Sequence, residues 1–305
     1  MRNLHRAYSM AAGLFLAFCS LLSASAALAT RNVTAWGSNA PGPIPDGTFL
    51  SIAAGKGSWH SVGLLADGTL AAWGINYEPT PIGTFSAVSA GYAWSLALRT
   101  NGTLVSWGDA PDAPDGIFIS MAAGRSHGLA IRTDGTLIGW GSNLNGCTNV
   151  PNGTFSAVSA GDGWSLALRT NGTLASWGGG PPAPGGTFTA IAAGSSHGLA
   201  IRTDGTLVGF GWNTYGQTNV PSGTFSAVGA GAGWSLGLRT DGTLVAWGNN
   251  QYGQTSVPSG RFSAISARYS HGLALQAIPE PSSLLALTGG LMGLGLLRKK
   301  VNSKP

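Results

Sequence analysis

The chain has 305 residues with 49 glycines, and only 9% of its side chains are charged, against about 25% in ordinary soluble proteins. This composition excludes a coiled coil and a charged disordered tail, and it fits many short strands joined by tight turns. The net charge of +5 comes from the two ends, because residues 30–278 hold ten basic and ten acidic side chains; a neutral body argues against phosphate-driven binding of DNA or RNA.

Residues 1–29 read as a secretory signal. Arg2 and Arg6 make a basic start, residues 11–22 form an apolar run, and Ala27-Leu28-Ala29 offers a small-x-small cleavage site, with Ala24-Ser25-Ala26 as a second choice. The run is shorter than the roughly 20 residues a spanning helix needs. Cys19 follows bulky Phe18, which argues against a lipoprotein. Once this segment is removed only Cys147 remains, so no internal disulfide can form and the fold must stand on its core.

The body, residues 30–278, is an internal repeat. Phe49, Phe85, Phe118, Phe155, Phe188, Phe225 and Phe262 open seven units of 33 to 37 residues. Each unit predicts three strands, exemplified by Phe85 to Ala90, Ser95 to Arg99 and Thr103 to Trp107. Asn101-Gly102 joins the last two, and the same link recurs at Asp67, Asn171, Asp134, Asp204 and Asp241, each followed by Gly. Such links predict hairpins with type I′ turns, which need positive φ at both residues. The seventh unit lacks its third strand, but residues 32–37 match that strand in sequence. An N-terminal strand completing the last blade would close a ring and leave no terminal edge exposed. The expected class is therefore all-β: a seven-bladed β-propeller of small, mostly three-stranded blades, flanked by a helical signal peptide and a C-terminal hydrophobic helix.

The motifs G-x-x-H-[S/G]-L-A, as at residues 124–130, D-G-T-L and W-G resemble RCC1-type repeats. The G-Q-T-x-V-P segment at residues 216–221 is similar to that of the propeller-type β-lactamase inhibitory protein. The resemblance spans Val33 to Gln276 and implies a seven-bladed propeller; it carries little about function, because the matching residues are scaffold residues.

His60, His127, His197 and His271 share one slot with Trp94, Trp164 and Trp234. Because Trp cannot ligate a metal, the exchange favours buried rings hydrogen-bonded by backbone over metal ligands. The Asp residues of the hairpins alternate with Asn and serve turn geometry. Asp109, Asp112 and Asp115 lie in a Pro-containing loop whose spacing fits no calcium site. No Ser–His–acid set, paired carboxylates or phosphate-binding loop is visible, so no catalytic residue, cofactor or metal is expected. Loop aromatics are the candidate partner-binding anchors: Trp59, Tyr77, Tyr92, Trp212, Tyr215, Tyr252 and Tyr269. Packing over the blade tops is the competing role.

Residues 279–305 begin with Pro279-Glu280-Pro281, continue through a mostly apolar stretch at residues 282–297 and end in Arg298-Lys299-Lys300. This arrangement resembles the PEP-CTERM sorting signal of Gram-negative bacteria. The resemblance implies an exosortase-type sorting enzyme as partner, only transient membrane attachment through the tail, and a place at the cell surface or in the exopolysaccharide matrix. The combined expectation is an exported, non-enzymatic, monomeric propeller that binds exopolysaccharide or a surface protein and no nucleic acid. The alternative is a secreted inhibitor of an extracellular hydrolase.

Overall fold

The computed structural model describes residues 32–37, 42–55, 60–74 and 79–277. The signal segment and the sorting tail, with the helices expected there, lie outside these residues, as do Trp59 and Tyr77. The chain opens with β1 (Val33–Gly37). Blade 1 follows as β2 (Phe49–Ala54), β3 (His60–Leu65) and β4 (Leu70–Gly74), and blade 2 as β5 (Phe85–Ala90), β6 (Trp94–Arg99) and β7 (Leu104–Gly108). Blades 3 to 6 take β8 to β19 in the same order, and blade 7 consists of β20 (Phe262–Arg268), β21 (His271–Gln276) and β1. The seven three-stranded sheets are antiparallel throughout. The first strands of successive blades touch one another all the way round, from β2 through β5 to β20 and back to β2, so they line the axis.

The ring closes as the repeat offset requires. β1 pairs with β21 from Val33 opposite Leu275 to Gly37 opposite His271. Asn32 is buried and fastens the joint: its side chain donates to Phe49 O at 3.0 Å and accepts from Phe49 N–H at 2.9 Å, while its carbonyl accepts from Gln276 N–H at 2.7 Å. Val33 packs with Phe49, Trp73 and Leu275 between blades 7 and 1, and Trp36 packs with Trp234 and Phe262 between blades 6 and 7. A strand far from its partners in sequence thus fills two blade interfaces and covers the edge of β21 that would otherwise be open.

The core is a set of interfaces between neighbouring sheets. The Phe that opens each blade is buried, and the Trp of W-G packs between blades, as Trp107 does against Leu64 and Phe85. Each first strand is bulged just after its Phe, so Phe49 opposes Leu65 while Ser51 opposes Leu64. The bulge frees a middle-strand carbonyl, and Ser86, Ser156 and Ser226 each turn a hydroxyl onto it at 3.3 Å.

The hairpins correct one expectation. In blade 1 Leu65 and Thr69 pair around three residues, and Gly68 N–H donates to Leu65 O at 2.9 Å. Gly68 and its five equivalents have φ between 83° and 85°, whereas no Asp or Asn before them has positive φ. The loop is a type I turn closed by a glycine bulge rather than a two-residue type I′ turn. Asp or Asn favours this form because its side chain accepts from the Thr two residues on, at 2.9 Å for Asp67 and 3.0 Å for Asn101.

These directions give the ring two faces. All six hairpins lie on one, here the hairpin face. The connections between first and second strands, and the start of each loop after W-G, lie on the other, the loop face. Both Asn32 and Ala277 emerge on the hairpin face. Among the described residues no helix is long and apolar enough to cross a membrane.

Candidate functional site

The loop face is built on the His/Trp slot. All seven rings there are buried and each links its blade to the next. His60, His127 and His197 meet Ser95, Ser165 and Ser235 of the following blade at 3.0, 3.0 and 2.9 Å, and His271 meets Ser61 across the closure at 3.4 Å. Each histidine thus meets a neighbouring hydroxyl, and not only the backbone groups expected from the sequence. Ser165 and Ser235 give their own protons to Cys147 O and Gln217 O, both at 2.8 Å. Their oxygens are left to accept, so His127 and His197 carry the proton on Nε2. Trp94, Trp164 and Trp234 do the same work by donating to loop carbonyls of the next blade, at 3.1 Å to Arg125 O, 3.0 Å to Gly194 O and 2.7 Å to Tyr269 O. Both ring types are donors across a blade boundary, which explains their exchange.

Burial holds the histidines neutral. It pushes His127, His197 and His271 down to about 4; the Arg268 charge adds to the effect on His127, and His60 to that on His271. Burial lowers His60 as well, opposed by a hydrogen bond with the backbone of Trp94. Gly precedes six of the seven slots because the ring lies over it: a Cβ on Gly194 would stand 2.6 Å from His197 Cε1.

Arg268 occupies the seventh of these Gly positions, and the sequence reading passed over it. Its side chain leaves the end of β20 and crosses the axis to blade 4, where Nη1 donates to Ala160 O at 3.1 Å. Burial lowers its pKa, and Asp162 works in the opposite direction. The signal available in the sequence was the single break in the Gly column.

Around this centre stand the sequence-predicted aromatics. Tyr92, Trp212, Tyr215, Tyr252 and Tyr269 are all exposed on the loop face. Trp212 and Tyr215 meet edge to face at 5.3 Å and lie over Gly233 of blade 6. Tyr269 is next to them, since its carbonyl accepts from Ala232 N–H at 3.0 Å. Tyr252 holds the slot equivalent to Tyr215 one blade further on, and each backbone N–H is fixed by the nearby Gln, Gln254 at 2.8 Å and Gln217 at 3.0 Å. Tyr92 stands apart on blade 2, with the Arg125 guanidinium 5.5 Å from its ring centre. The structure thus gathers Trp212, Tyr215, Tyr252 and Tyr269 over blades 6 and 7 and leaves Tyr92 separate.

Cys147 takes the Gln217 position in an equivalent loop. It is buried, donates to Ser142 O at 3.2 Å, and burial raises its pKa, which suppresses thiolate chemistry. Asp109 lies on the loop face, bonded through its N–H to Ala93 O at 3.0 Å, whereas Asp115 lies near the hairpin face beside Phe118, so the three loop acids do not converge. Among the described residues no three His, Cys, Asp or Glu side chains are placed to share a metal ion.

Residues 118–147, 188–217 and 225–254 match the regulator of chromosome condensation (RCC1) repeat, and residues 277–300 match the PEP-CTERM protein-sorting motif. The chain carries RCC1 repeats and a PEP-CTERM sorting motif. The structure is similar to Prp20p of Saccharomyces cerevisiae, with a TM-score of 0.69 and 14% identity over 86% of this chain and 95% of that one. Yeast RCC1 (Prp20) bound to Kap60 gives 0.68 and 15% over 96% and 100%. The ectodomain of the Physcomitrella patens receptor kinase CR4 gives 0.63 and 23% over 73% and 68%. At these identities the likeness establishes the propeller alone. No curated protein matches the chain. The similarity to the β-lactamase inhibitory propeller rests on the G-Q-T-x-V-P motif only. The sorting motif points to export to the envelope of a Gram-negative bacterium and to an exosortase-type processing partner.

Proposed function

We propose that this RCC1-repeat propeller is a non-enzymatic binding module, displayed at the cell surface or in the exopolysaccharide matrix, that holds a protein or glycan partner on its loop face. The observation that carries the reading is the distribution of exposed aromatic rings: Tyr92, Trp212, Tyr215, Tyr252 and Tyr269 are all on that face. Large, stiff, half-exposed rings bring contact area at little entropic cost and are the usual anchors of a recognition surface. The groups that could do chemistry are committed elsewhere, His60, His127, His197 and His271 to inter-blade bonds and the hairpin aspartates to their turns. Among similar folds, Prp20p has binding properties toward Gsp1p and histones.

The test is capture from matrix extract by the immobilised protein, comparing the parent with a Trp212→Ala/Tyr215→Ala/Tyr269→Ala variant of unchanged melting temperature. Loss of the same captured component from the variant supports the reading; equal capture overturns it. Sorting is tested in the native host: Pro279→Ala/Pro281→Ala should accumulate as an unprocessed precursor, and normal processing of that variant would remove the sorting role.

A further inference from the structure

The repeat supplies its own control for the hairpin face. Just after the opening Phe, five of the seven units carry Ser or Thr, but blades 1 and 3 carry Leu50 and Ile119. Just before that Phe, the residue is Thr or Arg except for Ile117. Three residues before it, the position is Asp, Asn, Ser or Gly except for Ile82. All four apolar exceptions fall on blades 1, 2 and 3, and they are open to solvent: Leu50 is 55% exposed, Ile82 96%, Ile117 50% and Ile119 57%. None fills the core. Leu50 and Ile119 also give up the hydroxyl that covers a bulge carbonyl in other blades. Consecutive apolar exchanges at exposed positions of a polar repeat mark a contact surface.

The route of the chain says what covers it. β21 runs toward the hairpin face, where Ala277 N–H donates to Arg261 O at 2.9 Å, and the sorting motif begins there. Only residues 278–281 separate Ala277 from the apolar stretch at 282–297. Fully extended, five steps of chain reach about 17 Å. A tail seated in a bilayer therefore holds the hairpin face close to the lipid surface, next to blade 1. Side chains of both charge signs, such as Arg99 and Asp67, share this face, so the contact is apolar rather than driven by anionic headgroups.

From this juxtaposition we infer that, while the tail is attached, blades 1 to 3 rest on the bilayer through Leu50, Ile82, Ile117 and Ile119, which turns the loop face outward. The inference rests on the reading of the tail as a membrane-seated sorting segment. It is tested on the full chain, with Cys19→Ser, in phosphatidylethanolamine/phosphatidylglycerol vesicles containing brominated lipid. An environment-sensitive fluorophore is placed by Ile82→Cys, by Gly185→Cys on the hairpin face of blade 5, or by Tyr252→Cys on the loop face; Cys147 is buried. Lipid quenching at position 82 should exceed that at 185 at least two-fold, be absent at 252, and fall when Leu50→Ser, Ile117→Thr and Ile119→Ser are added. Protein that floats with vesicles but shows equal or no quenching at 82 and 185 overturns the orientation alone. Protein that does not float overturns the tail reading and the orientation with it.

Discussion

The two faces of the ring are made by the same seven units, yet they are built differently. On the hairpin face six turns repeat one geometry, each Asp or Asn accepting from the Thr two residues on at 2.9–3.1 Å. On the loop face each blade leans on the next through a buried ring, and the residues between the strands differ from unit to unit. Uniformity suits turns that close locally, whereas the loop face locks neighbours together and, on the proposed reading, also presents particular side chains at particular places. Breaking the frame that both faces share should have the largest effect. Deleting residues 32–37 removes buried Val33 and Trp36 and the Asn32 bonds and reopens the edge of β21. We expect loss of cooperative melting or aggregation, read by calorimetry and light scattering; a monomeric variant that melts like the parent would contradict the closure.

Acid should separate the faces next. An unfolded His takes up its proton near pH 6.5, while folded His127, His197 and His271 resist until about 4. Their contribution is complete above pH 6.5 and is lost as pH falls toward 4, by up to about 3 kcal/mol for each histidine. Melting temperature should therefore drop steeply in that window, and a stability curve flat from pH 6.5 to 4.5 would refute the burial of neutral rings. The hairpin aspartates are also shifted down, but because hydrogen bonds from Thr favour their charged form: Asp67, Asp134, Asp204 and Asp241 support their turns fully above the ordinary carboxylate range, and that support is lost as pH falls through it and below.

Smaller effects sharpen the contrast in binding. Trp212→Ala and Tyr269→Ala should each weaken capture of the partner by about 1–3 kcal/mol, measured by titration calorimetry, with stability little changed because both rings are exposed. Asp134→Asn with Asp204→Asn should leave binding and melting at parent values, since Asn101 and Asn171 already make the same turn. Lost binding from the hairpin pair with the aromatic changes silent would place the site on the other face.

The ring was legible in the sequence because each repeated residue does one job wherever it occurs: Phe opens a blade, Asp/Asn-Gly turns it, and the Trp of W-G fills the gap to its neighbour. The turn type was not, because Asp-Gly serves both two-residue and bulged three-residue hairpins, and the choice lies in the sign of φ at Asp. Arg268 was missed because a charge that spans the axis to Ala160 leaves no local pattern, only one absent Gly. The histidine partners were readable in retrospect. Every His blade is followed by a blade with Ser just after its slot, as in Trp94-Ser95, Trp164-Ser165 and Trp234-Ser235, while the blades that follow Trp carry Gly128, Gly198 and Gly272 there.

That coupling turns the number of blades into a question of parity. Units alternate between one whose slot His bonds forward to a Ser and one that carries the receiving Ser beside a slot Trp, and an even ring could close with these two kinds alone. Seven cannot: one blade must carry both a slot His and a receiving Ser. Blade 1 is that hybrid, with Ser61 taking the bond from His271 and His60 passing one to Ser95. Excising a neighbouring pair such as blades 3 and 4 leaves the sequence of hand-offs intact, whereas excising any single blade other than the hybrid leaves a His facing Gly or a Ser with nothing to receive. A chain of this kind therefore lengthens or shortens most easily in steps of two blades, and the adjacent His60 and Ser61 are the mark it carries of an odd count.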